Sequence, residues 1–422
     1  MRVFERCGVG TLLLVAIACG GGGTDSGDGS GGASGAGGAG GANLAGSSPG
    51  MAGAAPGGGT SGAAGGNAGA GASSAGEAGM GAAGATAGGG GSSGKVPIFV
   101  AQGNLGRLTI SCDDGKTWIA NRSDDDSARC GSGLDCDHAA NAPMGLAYGA
   151  GAFLAVFGWS EPGPVRRSTN GVDWTTVADD SDWAGIAFGS GTFVLGDDYR
   201  VRLSTNGSSF RDVELPMLSQ PNVRQTFYVP TRGGRFVVVA DNGGERAGIV
   251  FSADAGESWQ APATFPAECG SWNRGLAGND SVMIIASLDG YVCRSTDGGT
   301  SWSVADVDRD VALTSPPLWD GQRFVIWARG TAYLSPDGSS WTPRANSPSS
   351  AAIGAVARSP GGTYVATRET VTSSASYDAQ QFYRSTDGQN WEILGDGAFE
   401  PSHPIVRFTF GEADPSSACA RP

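Results

Sequence analysis

An all-β fold, a seven-bladed β-propeller, is what three features of this 422-residue sequence predict. A short Ser–Asp/Asn–Gly–aromatic motif recurs along the chain, strand-like text of constant character fills the intervals, and a strand missing at the start of the array reappears at its end. The longer form of the motif reads Ser111-Cys112-Asp113-Asp114-Gly115-Lys116-Thr117-Trp118 and returns at Ser252 to Trp259 and Ser295 to Trp302. A form one residue shorter reads Ser168-Thr169-Asn170-Gly171-Val172-Asp173-Trp174 and returns at Ser204 to Phe210, Ser335 to Trp341 and Ser385 to Trp391. The seven copies start 57, 36, 48, 43, 40 and 50 residues apart, a period that marks a radial β array.

Strands are readable between the copies. Met144 to Gly149 is followed by Ala152 to Val156, and Ala184 to Gly189 by Thr192 to Leu195, while weaker versions are Pro317 to Trp319 with Arg323 to Ile326, and Ile353 to Ala357 with Thr363 to Ala366. Each unit therefore reads strand, Gly-containing turn, strand, loop, strand, motif, strand, which is a four-stranded blade. The first motif has only two strands ahead of it, Pro97 to Val100 and Leu108 to Ile110, and Pro404 to Gly411 repeats first-strand text with no motif behind it. Joining the termini in one blade gives seven blades and leaves no open sheet edge.

The motif resembles the Asp-box, or BNR, repeat of sialidases and related propellers. In that family the box joins the third and fourth strands of a blade on the face away from the ligand. The resemblance implies structural roles for Asp113, Asn170, Asn206, Asp254, Asp297, Asp337 and Asp387. Asp or Asn accepts hydrogen bonds from loop amides, Gly takes the φ > 0 position, and the aromatic ring opens the next strand against a neighbouring layer.

Ahead of the array the chain is a different polymer. Residues 20–94 hold 33 glycines, three acids and no Lys or Arg, too little apolar surface to offset the entropy of ordering. As a flexible tether these 75 residues reach about 45–50 Å. Arg2 and Arg6 precede an apolar run from Thr11 to Ala18, too short to span a bilayer and shaped like an export signal. Ala16-Ile17-Ala18-Cys19 resembles the lipobox of bacterial lipoproteins, which implies removal of residues 1–18 and lipidation of Cys19. Gly20 after the cysteine resembles the outer-membrane sorting pattern of some Gram-negative bacteria. The expected organisation is a signal at 1–18, a lipidated linker at 19–94 and the propeller at 95–422, exported and held to the cell envelope by lipid alone.

Residues 95–422 carry a net charge of −12, which argues against a polyanion-binding surface. Six cysteines remain besides Cys19, and an even count in an exported chain points to disulfides, although six allow 15 connectivities. Ring closure brings Cys419 near blade 1, so Cys112–Cys419 is the expected clasp, with Cys269–Cys293 and Cys130–Cys136 as local pairs. His138 and His403 are too few and too separated for a zinc site or a His-based triad; neither metal nor cofactor is expected.

With the boxes on one face, the other face is formed by the loops between blades and between second and third strands. Those loops carry Asp124 to Asp126 and His138; Trp159 and Glu161; Asp179, Asp180, Asp182 and Trp183; Asp197, Asp198, Tyr199 and Arg200; Trp272 and Arg274; and Arg368, Glu369, Tyr377 and Asp378. The candidate ligand-face residues are Asp124, Asp180, Trp183, Asp198, Arg200, Trp272, Arg274 and Arg368. Rings that stack on sugar and carboxylates that bond its hydroxyls fit a glycan, and the same residues also suit solvated acidic loops. The Arg-Ile-Pro signature of sialidases is absent, since the matching region reads Val96-Pro97-Ile98-Phe99-Val100. Sialidases have six blades, and the related xyloglucan hydrolases use a cleft between two propellers. The photosystem II assembly factor of cyanobacteria, a single seven-bladed propeller, works by binding protein. The expected function is non-catalytic binding of an envelope or extracellular protein or glycan by a monomer; the alternative is a glycoside hydrolase of sialidase-like type, with two carboxyl groups about 5–10 Å apart.

Overall fold

The computed structural model describes residues 94–419 apart from 105, 123–141, 159–161, 198, 219–220, 243–244, 271–272, 310, 370–381 and 395–404. Seven antiparallel sheets follow one another along the chain. Blade 2 shows the pattern: Pro143–Gly149, Ala152–Phe157, Gly163–Ser168 and Thr175–Ser181 pair in that order. First strands of neighbouring blades pack against one another around a central channel, which makes them the inner strands. Blade 1 is completed by the far end of the chain, because Ile405–Ala413 pairs along Val96–Gly103 from Val96↔Ala413 to Gly103↔Ile405.

Blade 4 departs from the four-stranded expectation. Its sheet has three strands, Pro221–Val229, Arg235–Asn242 and Glu245–Ser252, and the fourth is reduced to one bridge, Phe251↔Gln260. Pro262 and Pro266 follow at once; neither has an N–H to extend a ladder.

The core lies between blades. Val194, Val201 and Leu203 of blade 3 pack on Phe236, Val238 and Val250 of blade 4, while Ile98, Val100 and Ile110 of blade 1 pack with Leu146 and Phe153 of blade 2. Middle strands are thus covered on both sides and read as unbroken apolar runs such as Phe193-Val194-Leu195.

The boxes hold these interfaces together. In all seven, the opening Ser hydroxyl donates to the Asp or Asn Oδ1, from 2.8 Å at Ser252 to 3.2 Å at Ser204. The same hydroxyl accepts from the box Gly amide at 2.8–2.9 Å. That glycine meets a double demand: its φ is positive, and it lies against the preceding blade. A Cβ at Gly207 would stand 2.6 Å from Leu154 Cδ1, one at Gly256 2.8 Å from Leu203 Cδ2, and one at Gly338 2.6 Å from Ile284 Cγ2. Box carbonyls also receive arginines from the preceding blade: Arg167 Nε reaches Asn206 O at 3.3 Å, Arg294 Nε Asp337 O at 2.7 Å, and Arg384 Nε Asp114 O at 2.8 Å.

Two disulfides are formed among the described residues. Cys112–Cys419 ties the box of blade 1 to the turn after the closing strand across 307 residues, and Cys269–Cys293 ties the connection into blade 5 to that blade's third strand. Cys130 and Cys136 lie outside the described residues. Disulfide-bonded structure points to an oxidising, extracytoplasmic compartment.

Candidate functional site

On the face opposite the boxes, the end of one blade's outer strand, the start of the next inner strand and the following second-to-third-strand loop converge. Between blades 2 and 3 this convergence brings together Asp180, Trp183 and Arg200 with two residues the loop survey passed over, Arg202 and Asp212. Arg202 Nη1 donates to both Asp180 oxygens at 2.8 and 3.0 Å, its Nε lies 3.0 Å from Asp212 Oδ1, and its guanidinium stacks 5.0 Å from the Trp183 ring centroid. Trp183 is fixed in turn through Nε1 to Gly163 O at 2.8 Å. Arg200 bridges Asp197 and Asp212, each at 3.2 Å.

Asp197 is the buried anchor of the cluster at 2% exposure, accepting from the Ser181 hydroxyl at 2.8 Å, the Tyr199 amide at 3.0 Å and Arg200 Nε at 3.2 Å. Tyr199, at the loop tip, is 56% exposed. The Arg202 hydrogen bond holds the Asp180 carboxyl below its usual range, with the Arg202 charge adding to it against the opposing effect of burial. Three carboxylates thus face two guanidiniums in a braced, weakly anionic patch whose aromatic tip is open to solvent.

A second feature lies at the channel. In six blades the inner strand carries one extra residue near its start: at Pro143/Gly145, Trp183/Gly185, Val223/Gln225, Asn273/Gly275 and Ile353/Val356, and in blade 1 opposite Gln102/Gly103. Such bulges bend the strand and re-aim a side chain. They place Arg224 and Arg274 at equivalent positions of blades 4 and 5, and Arg407 one residue further on in blade 1. Neighbouring glycines let the inner strands close in, since a Cβ at Gly145 would be 2.9 Å from Ile186 N and one at Gly185 2.9 Å from Thr226 N. These strands line a half-open pocket of about 30 Å3 at the ligand-face end of the channel, with Arg407 and Phe408 on one wall and Gln225, Thr226 and Phe227 on another.

The remaining candidates are dispersed. Arg368 closes the second strand of blade 7, next to Glu369, whose buried carboxylate pairs with Arg329 of blade 6 at 3.1 Å. Arg274 is described through its backbone, in the strand Asn273–Gly278. Cys19, Asp124, Asp198 and Trp272 lie outside the described residues. Among the described residues there is no group of three or more His, Cys, Asp or Glu that could hold a metal ion, and no helix long and apolar enough to cross a membrane. Arg202 and Asp212 carry no motif in the sequence; the structure sets them in cross-strand register, Arg202↔Asp212, which puts opposite charges side by side.

This architecture belongs to the class of seven-bladed β-propellers. Among solved structures, virginiamycin B lyase from Staphylococcus aureus superposes with a TM-score of 0.50 at 10% identity, over 66% of this chain and 96% of that one. YCF48 from Cyanidioschyzon merolae gives a TM-score of 0.44 at 13% identity over 63% and 87% of the two chains, and YCF48 bound to D1 peptide gives 0.43 at 15% over 62% and 89%. At such identities the likeness is one of fold. No protein-family model and no curated protein matches the chain in sequence.

Proposed function

We propose that this chain is an exported lipoprotein, anchored through Cys19, whose monomeric propeller binds an envelope or extracellular protein or glycan without catalysis, at the face that carries Asp180, Arg202 and Tyr199. The observation that supports this reading is the bracing of the face: its acids are engaged by arginines, and Asp180 is held in the ionised form, the opposite of what a general acid needs. A rigid charged rim beside an exposed ring suits recognition, because little side-chain freedom is lost on binding.

The test is a glycan array and an envelope-protein binding panel with wild type, Tyr199→Ala and Asp180→Ala, with a glycoside panel on the same preparations. The expected result is a ligand bound by wild type and weakened about tenfold or more in both variants, whose melting remains cooperative. Turnover of a glycoside that Asp180→Asn abolishes would overturn the reading in favour of a hydrolase, and equal binding by all three proteins would move the site elsewhere. For the anchor, Cys19→Ser should leave the detergent phase or accumulate as precursor; fractionation identical to wild type would reject lipidation.

A further inference from the structure

The cluster between blades 2 and 3 turns its two signs of charge in opposite directions. The Arg202 side chain is 9% exposed, whereas those of Asp180 and Asp212, which it holds, are 60% and 49% exposed. Glu214, on the same outer strand and the same side of it as Asp212, is exposed too and pairs with no described cation. On the adjoining hairpin Tyr199 precedes Arg200, and its residue exposure is 56%. A partner therefore meets carboxylates and a phenol ring, with the guanidiniums behind them.

Blade 5 shows what such a surface holds. Counted back from the box serines, Arg200 of blade 3 and Tyr291 of blade 5 open equivalent third strands, and their cross-strand partners are Glu214 and Asp306. In blade 5 a guanidinium closes the group, since Arg309 lies 5.4 Å over the Tyr291 ring and pairs with Asp306. Arg309 stands three residues beyond Asp306; three beyond Glu214 the chain has Met217, which packs into the core that blades 3 and 4 share. Blade 3 thus keeps the acid, and carries its ring one position earlier at the hairpin tip, but has no described cation over it.

We propose that the partner of this face is a protein that presents an arginine, its guanidinium stacked on the Tyr199 ring and paired with the Glu214 and Asp212 carboxylates. This rests on the binding reading above and narrows it from protein or glycan to protein. A guanidinium stacks on an aromatic face, pairs with carboxylates through a planar fork and is less strongly hydrated than an ammonium. The net charge of −12 on residues 95–422 draws such a partner in. Sugar hydroxyls need donors as well as acceptors, and the donors here, Arg200 and Arg202, are engaged by Asp180, Asp197 and Asp212.

The test is fluorescence anisotropy of the full chain with labelled Gly-Ser peptides that carry two arginines, two lysines or two citrullines, at low and high salt. The expected order is arginine, then lysine, with citrulline weaker than arginine by about tenfold or more, and with the difference shrinking in high salt. Tyr199→Ala and Glu214→Gln should each weaken the arginine peptide several-fold and Tyr199→Phe should not. Glu268→Gln, which removes an exposed acid of the blade 4 to blade 5 connection, should leave binding as in wild type. Equal binding of the arginine and citrulline peptides, or equal loss in Glu214→Gln and Glu268→Gln, would overturn the proposal. A glycan bound in a Tyr199-dependent way, with no preference for arginine among the peptides, would overturn it while leaving the binding reading intact; no Tyr199-dependent ligand of either kind would overturn both.

Discussion

Gly207→Ala, set beside Gly191→Ala, measures how strongly one box locks two blades. Both glycines have a left-handed backbone, φ +69° at Gly207 and +79° at Gly191, so both alanines carry the same conformational strain, on the order of 1 kcal/mol. Their surroundings differ. A Cβ at Gly191 meets nothing within 4 Å, whereas one at Gly207 stands 2.6 Å from Leu154 Cδ1 and 3.3 Å from its Cδ2. Leu154 is fully buried in the core that blades 2 and 3 share, so it has little room to withdraw. Overpacking there adds about 1–3 kcal/mol, giving about 2–4 kcal/mol for Gly207→Ala against about 1 for Gly191→Ala. Urea unfolding at 25 °C, followed by tryptophan fluorescence, reads both differences in one buffer. Equal destabilisation by the two substitutions would refute the idea that box glycines are selected for close approach as well as for backbone conformation.

Removing the clasp with Cys112→Ser and Cys419→Ser should lower stability by several kcal/mol, since cross-linking across 307 residues is worth about 5–6 kcal/mol in the chain-entropy treatment; an unchanged urea midpoint would refute it. Asp297→Ala should cost about 1–3 kcal/mol, because the Ser301 amide and hydroxyl and the Ser295 hydroxyl lose their acceptor; an unchanged midpoint would show the box carboxylate to be dispensable. Acid should weaken the fold through the boxes. Hydrogen bonds from the Ser339 hydroxyl and amide hold Asp337 well below its usual range, and at Asp297 those from Ser301 and Ser295 outweigh the opposing effect of burial. A depressed folded-state pKa contributes stability that is complete above the unfolded value near 4 and is lost as pH falls below it. Urea midpoints between pH 5 and 2.5 should therefore drop, and Asp337→Asn should flatten the decline; parallel slopes would reject the assignment.

The ring was legible because its signals are local and repeated. Ser, Asp or Asn, Gly and aromatic stand at fixed offsets in each box, and the unpaired strand text from Pro404 onward had one place to go. Blade 4 escaped because a box normally implies an outer strand, and the cancelling signal, Pro262 and Pro266, sits after the aromatic. On the ligand face, survey by loops found Asp180, Trp183 and Arg200, which stand at or next to strand ends, but passed over Arg202, Asp212 and Arg407. Their importance depends on which side of a strand faces which neighbour, and a one-residue bulge reverses that side. The Arg-Ser pairs at Arg167, Arg294 and Arg384 were visible in the sequence, yet their targets are carbonyls of the next blade, a contact no spacing along the chain encodes.

The clasp has a consequence for how the domain withstands proteolysis. With Cys112 bonded to Cys419, the 308 residues from one to the other form a covalent macrocycle. A protease that cuts a single exposed turn, such as Ser190–Gly191 on the box face, opens the cycle without releasing a fragment. The two new ends stay joined the long way round and are held in place by the box contacts on either side. Freeing a blade takes two cuts or a cut plus reduction, so in an oxidising compartment rich in proteases an isolated nick leaves the propeller whole.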